Sequence, residues 1–130
     1  MTYFNSKDTH CPVELSLQII NRKWVLQIIC DIFFGKTRFS EFKKGKADLS
    51  NKALSRCLKY MEEQNLIVRV VNKENQSDIE YFLTDKGKSL NWILYDLVIF
   101  TLENEDNRKY YSEDTRIETE RMFREKLNID

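Results

Sequence analysis

The sequence predicts a mainly α-helical fold with one small antiparallel β-hairpin, and three stretches carry that prediction. Leu49 to Leu66 repeats Leu54, Cys57, Leu58 and Met61 at helical spacing behind Ser50, a residue suited to capping a helix N-terminus. Ile67 to Asn72 and Ile79 to Leu83 are rich in β-branched and aromatic residues and flank the polar segment KENQSD, so they read as two strands joined by a flexible tip. From Leu90 to Phe100 only Asn91 and Asp96 interrupt apolar and aromatic side chains. A helix that is apolar nearly all round must be covered on more than one side.

At 130 residues the chain has the length of one domain with a real core. Its 21 basic and 21 acidic residues cancel, so total charge selects no partner and a polyanion binder needs a local patch. Gly35 to Tyr60 supplies one: Lys36, Arg38, Lys43, Lys44, Lys46, Lys52, Arg56 and Lys59 stand against only Glu41 and Asp48. The compensating acids are densest beyond Glu103. No stretch is long and apolar enough to span a membrane, and no basic segment followed by an apolar run opens the chain, so a cytoplasmic protein is expected. Three cysteines without CxxC spacing and a single histidine, His10, make neither a disulfide framework nor a zinc site. No cofactor is expected.

In chain order, Met1 to Thr9 is polar apart from Tyr3 and Phe4 and is expected to be loose. Pro12 suits a first helical position and Glu14 a first turn, which makes Cys11 the N-cap of a short helix ending near Asn21, with Val13, Leu17 and Ile20 on one face. A second helix begins at Lys23 or Trp24, buries Val25, Ile28, Ile29 and Ile32, and closes at Gly35. Ser40 is expected to cap a third, SEFKKGKAD, with Phe39 and Phe42 inward and little run beyond Gly45. This helix, a turn and the Ser50 helix form a helix-turn-helix, and the hairpin after it is a wing.

In the Ser50 helix, Asn51, Lys52, Ser55, Arg56 and Lys59 share the face opposite the apolar one. Cations crowd its N-terminal half while Glu62 and Glu63 follow, an order that opposes the helix dipole and that a bound polyanion would favour. The plainer alternative is a solvated charged face. Asn65 is expected in the left-handed conformation that ends the helix. Thr84 caps a long helix running through Trp92, Ile93, Leu94, Leu97, Val98, Ile99 and Phe100. The first helix covers part of it, and a second copy of the chain is the expected cover for the rest, in preference to complete burial inside a monomer. Residues 1–103 then make the winged helix-turn-helix domain with its dimerisation helices. Residues 104–130 are a charged extension: a polar linker from Glu103 to Lys109, then a helix from Ser112 to Leu127 with Ile117, Met122, Phe123 and Leu127 loosely spaced.

Five motifs in order, CPVE from Cys11, Lys23-Trp24, RFSEF from Arg38, LSNKALSRCL from Leu49 and EYFLTDKG from Glu80, resemble the HxlR-type winged helix-turn-helix regulators of bacteria over Cys11 to Phe100. The resemblance implies a homodimeric transcription factor on double-stranded DNA, dimerised through its first and long helices, here Val13, Leu17, Trp92, Leu94, Leu97, Val98 and Phe100. On that reading Arg56 and Lys52 are the expected groove contacts with Asn51, Ser55 and Lys59 beside them, while Arg38, Lys43 and Lys44 meet phosphates. In such regulators the cysteine before Pro-Val-Glu is often a redox or electrophile sensor, here Cys11, so the effector is an oxidant or a small molecule near the dimer helices. The residues give Cys11 a physical case too: a helix N-terminus stabilises a thiolate, although Glu14 opposes it. Cys30 and Cys57 read as small buried hydrophobes. The wing tip departs from the family pattern of prolines and a basic residue, with Asn75-Gln76-Ser77-Asp78 in their place. Two other classes stay open: a winged-helix module for a protein partner, favoured by the acidic wing tip, and an enzyme with Cys11 as nucleophile, for which no base or phosphate loop emerges.

Overall fold

Leu54, Cys57, Leu58 and Met61 bury together along one side of a helix, α4 (Asn51–Glu63), and form the core with residues of the neighbouring helices and the hairpin. The computed structural model describes residues 10–104 and 109–130. Within them α4 is preceded by α1 (Pro12–Ile20), α2 (Val25–Phe33) and α3 (Phe39–Lys43). It is followed by the strands β1 (Ile67–Val71) and β2 (Ile79–Leu83), then by α5 (Asp85–Lys88), α6 (Asn91–Asn104) and α7 (Glu113–Lys126). The expectations for Met1 to Thr9, and for part of the linker from Glu103 to Lys109, fall outside the described residues.

The caps of α4 are those the sequence predicts. Ser50 Oγ accepts the Ala53 N–H at 3.0 Å. At the other end Asn65 has φ 60°, and the Leu66 N–H returns to the Met61 carbonyl at 2.9 Å, which satisfies a carbonyl that would otherwise be orphaned. In the same buried cluster as the α4 residues are Val25, Ile28 and Ile29 of α2, Phe42 of α3, Leu49, Leu66, Ile67 and Tyr81. The strands pair antiparallel with Ile67 opposite Leu83 and Val71 opposite Ile79. The tip is closed by the Asn72 N–H on the Asp78 carbonyl and the Asp78 N–H on the Asn75 carbonyl, both at 2.9 Å.

Three expectations change. Arg38, not Ser40, is the N-cap of α3. The reason is Glu41, whose carboxylate reaches back to accept the N–H groups of Thr37 at 3.1 Å and Arg38 at 3.0 Å, so Ser40 falls inside the first turn. The long helix expected from Thr84 is two helices. Thr84 Oγ1 caps only α5, accepting the Gly87 N–H at 3.0 Å. The Ser89 hydroxyl then donates to the Lys86 carbonyl and Asn91 Oδ1 accepts the Trp92 N–H at 2.9 Å, local bonds that compete with a continuous helical ladder.

The third change concerns the cover of α6. The helix read as an extension of the domain folds back on its own chain: Phe123 meets Phe34 edge-on with ring centres 5.1 Å apart, and Leu127 and Ile129 join the core. Asn91 Nδ2 donates to the Leu127 carbonyl at 3.0 Å. Tyr95 donates its hydroxyl proton to Glu120 and accepts from Arg124 at 2.8 Å. Leu94, assigned by the sequence to a dimer surface, is instead turned into this core at 6 % exposure. Val98 is half-buried, while Trp92, Leu97 and Phe100 face outward, Phe100 at 66 %. α1 buries none of its own residues and leaves Val13 and Leu17 exposed. Among the described residues no helix is long and apolar enough to cross a membrane.

Candidate nucleic-acid interface

With its apolar side fixed in the core, α4 turns Asn51, Lys52, Ser55, Arg56 and Lys59 outward, all five exposed. Among the described residues no carboxylate pairs with Lys52, Arg56 or Lys59, nor with Lys44 on the approach to the helix. Lys43, at the end of α3, donates to Asn51 Oδ1 and so ties the third helix to the first residue of the fourth. The set that the sequence places on one face is therefore on one face, and the turn between the two helices is braced.

Arg38 sits differently. Its guanidinium is bound to Asp78 at the wing tip and lies 3.7 Å from Glu80 of β2. The Arg38 bond, followed by one from the Asn72 amide, holds the Asp78 carboxyl below its usual range. The same bond with Asp78 raises Arg38. Next to it Thr37 donates its hydroxyl to Glu80 at 2.8 Å and accepts the Tyr81 N–H on its carbonyl at 2.8 Å. The start of α3 and the wing are thus fastened by side-chain interactions of both Thr37 and Arg38 and by a backbone bond. Sequence reasoning missed the pair of Arg38 and Asp78 because its members are far apart in the chain. The available signal was an acidic wing tip beside a basic segment with few acids of its own. The acid that favoured a protein partner in the sequence is taken up within the chain.

A second missed residue is Tyr60, on the flank of α4. Its hydroxyl donates to the Ile19 carbonyl at 2.6 Å, at the last turn of α1, and the Arg22 guanidinium stacks 4.0 Å above its ring. At the other end of α1, Cys11 is the N-cap, makes no side-chain capping bond and is 5 % exposed. No disulfide joins the three cysteines. Burial pushes the Cys30 and Cys57 thiols up to about 11, with Asp31 adding to the effect at Cys30. Both are protonated at neutral pH and poor nucleophiles. Among the described residues no group of His, Cys, Asp and Glu side chains could hold a metal ion.

Comparison with known proteins places this geometry. Residues 19–109 match the family model of the HxlR-like helix-turn-helix. The HTH-type transcriptional regulator YvaP of Bacillus subtilis (strain 168) is 40 % identical over 85 residues, which cover 65 % of this chain and 79 % of YvaP. YtcD of the same organism, also an HTH-type transcriptional regulator, is 34 % identical over 104 residues, covering 80 % of this chain and 82 % of YtcD. The structure of the redox regulator HypR in its oxidized form superposes with a TM-score of 0.65 at 30 % identity, over 74 % of this chain and 99 % of that one. A mostly helical chain with a two-stranded wing, an outward cationic α4 and these relatives is accounted for in one way: the protein belongs to the HxlR-like helix-turn-helix family of DNA-binding transcriptional regulators.

Proposed function

We propose that two copies of the chain bind a pseudo-palindromic operator, each laying α4 in a major groove about 34 Å from the other. One observation carries the reading. α4 buries every apolar residue of its inner side while Lys52, Arg56 and Lys59 on the outer side have no acidic partner among the described residues. Arg56 and Lys52 read base edges, Asn51, Ser55 and Lys59 flank them, and Lys43 and Lys44 bind phosphates and set the register. Asp78 takes up part of the Arg38 charge that a phosphate would otherwise meet. Asp78→Asn is therefore expected to tighten binding to any duplex by a few-fold and to steepen the plot of log affinity against log salt by about one. A salt titration of both proteins on operator and on random DNA checks this. An unchanged slope would mean that Arg38 only holds the wing.

The dimer is built from the exposed apolar residues of α1 and α6, Val13, Leu17, Trp92, Leu97 and Phe100, with Val98 at their edge. The N-terminal Cys11 is the thiol through which an oxidant or electrophile acts. The protonated state of Cys30 and Cys57 supports it, and the relative HypR is a redox regulator. Because Cys11 is buried, modification requires a local opening around it. α1 meets α4 at Tyr60, so displacement of one helix biases the other. The test is fluorescence anisotropy on DNA from the intergenic region upstream of the protein's own gene, at several salt concentrations, reduced and after mild thiol oxidation. Tight, salt-steep binding that changes on oxidation in the parent and not in Cys11→Ser is the expected result. Oxidation acting equally on Cys11→Ser would remove the thiol from the mechanism. A second reading, a protein partner on the outer face of the hairpin, is favoured by exposed Val68, Val70 and Phe82. It predicts binding nearly independent of salt.

A further inference from the structure

Between α2, α6 and α7 the chain leaves a cavity of about 570 Å³. Sites for small organic molecules span roughly 300 to 1,000 Å³. The body of the cavity is apolar: Leu26 comes from α2, Leu94, Val98 and Leu102 from α6, and Phe123 from α7. Tyr111 and Thr119 complete the wall made by the C-terminal segment, which lies beyond the residues 19–109 of the family match.

Two charged residues, Asp31 and Lys46, line the cavity, and their contact sets them side by side. The Lys46 ammonium binds the Asp31 carboxylate and donates to the Phe42 carbonyl at 2.9 Å. That uses two of its three donors. Asp31 is shared, since Lys36 approaches it from outside at 3.4 Å. Lys36 also faces Glu41, and because Asp31 is divided between two lysines the Lys46 ammonium keeps part of its charge for a ligand. Beside them Cys30, which is neutral, adds polarisable apolar surface.

We propose that this cavity binds a small amphipathic molecule with one anionic group, its hydrocarbon or aromatic body lying between α2, α6 and α7 and its anion on the Lys46 ammonium. A neutral hydrocarbon would leave the remaining donor of Lys46 without an acceptor, and a cation would be repelled by the Lys46 ammonium itself. Lys46 belongs to the turn between α3 and α4 and joins it to α2 through Asp31. A bound anion draws on that joint, so occupancy is felt at the start of α4. This consequence rests on the DNA-binding reading, while the binding itself does not.

The full chain is titrated calorimetrically with 1-naphthaleneacetate, with decanoate, and with 1-naphthaleneacetamide as the neutral counterpart of the first. One site per chain is expected, with the acid preferred over the amide by about tenfold, the scale of a charge-assisted hydrogen bond. Thr119→Trp, a filling substitution at a half-buried position on α7, is expected to abolish binding. Lys46→Met is expected to bring acid and amide within roughly threefold of each other. Thermal melts accompany each variant. Should Lys46→Met not fold, the acid-to-amide ratio of the parent and the Thr119→Trp result still decide. Equal binding of acid and amide, undiminished binding by Thr119→Trp, or no binding of either carboxylate at millimolar concentration overturns the proposal. No DNA enters these titrations, so their failure and a failure to bind operator are separate results.

Discussion

Gly87→Ala is expected to lower the melting temperature by roughly 5 to 10 °C, although alanine is the better helix former by about 1 kcal/mol. A Cβ at Gly87 would stand 2.2 Å from the Leu66 carbonyl oxygen and 3.2 Å from both the Leu66 carbonyl carbon and Leu83 Cδ2. The oxygen cannot step aside as a side chain would. It belongs to the turn after α4 and accepts the Thr84 N–H at 3.0 Å, the bond that seats α5 beneath the hairpin. Relief requires α5 to lift from the Leu66 turn and from Leu83 of β2, which strains a packed core by about 1 to 3 kcal/mol or more. The clash outweighs the gain in helix propensity. Circular dichroism melts of Gly87→Ala beside Lys88→Ala, an exposed site in the same helix, make the comparison. Equal melting temperatures for the two would show that the backbone at Leu66 yields more easily than its hydrogen bond implies.

Arg56→Ala is expected to weaken operator binding by about 1 to 3 kcal/mol and to shrink the preference for operator over random DNA. The guanidinium is exposed, has no acidic partner among the described residues and stands on a helix whose opposite side is fixed by Leu54, Cys57 and Leu58. Its loss removes a contact without disturbing the fold, so the melting temperature stays where it is. Lys43→Ala should instead weaken every sequence by a similar factor, with a small added effect because Asn51 loses its partner. The two variants, titrated on operator and on random duplex at one salt concentration, separate base reading from phosphate binding. Undiminished operator affinity in Arg56→Ala would mean that the reading face has been assigned to the wrong side chains.

The parts of this molecule legible in the sequence are those decided within one or two helical turns. Ser50, the apolar spacing behind it and Asn65 define α4 at both ends, because a cap and a stripe are local facts. β2 falls where its β-branched and aromatic run predicts, and β1 stops one residue short of Asn72. The outward set on α4 follows from the same periodicity. The break between α5 and α6 escaped notice because Ser89 and Asn91 decide it through side-chain bonds worth little individually, in a stretch whose hydropathy reads as one helix. The pairing of Arg38 with Asp78 was out of reach for another reason: nothing local tells a basic side chain whether it will face a phosphate or the next strand. For α7 the apolar residues are sparse, Ile117 and Met122 remain exposed, and much of the packing is done by Leu127 and Ile129 just past the helix end. A helix that anchors by its last turn leaves almost no periodic trace.

The return of α7 to α2 also sets an order of events. α2, α3, α4 and the hairpin are joined by short loops and can find one another early. Phe123 and Leu127 reach the layer of Phe34 only after the chain has crossed the domain. Closing so wide a loop is slow compared with the local steps. In the interval the half that would read DNA is already shaped, while the apolar flank of α2 remains wet and open to other chains. The demand of this family member on chaperones, and its yield on refolding, should therefore be governed by the helix farthest from α4 in the sequence.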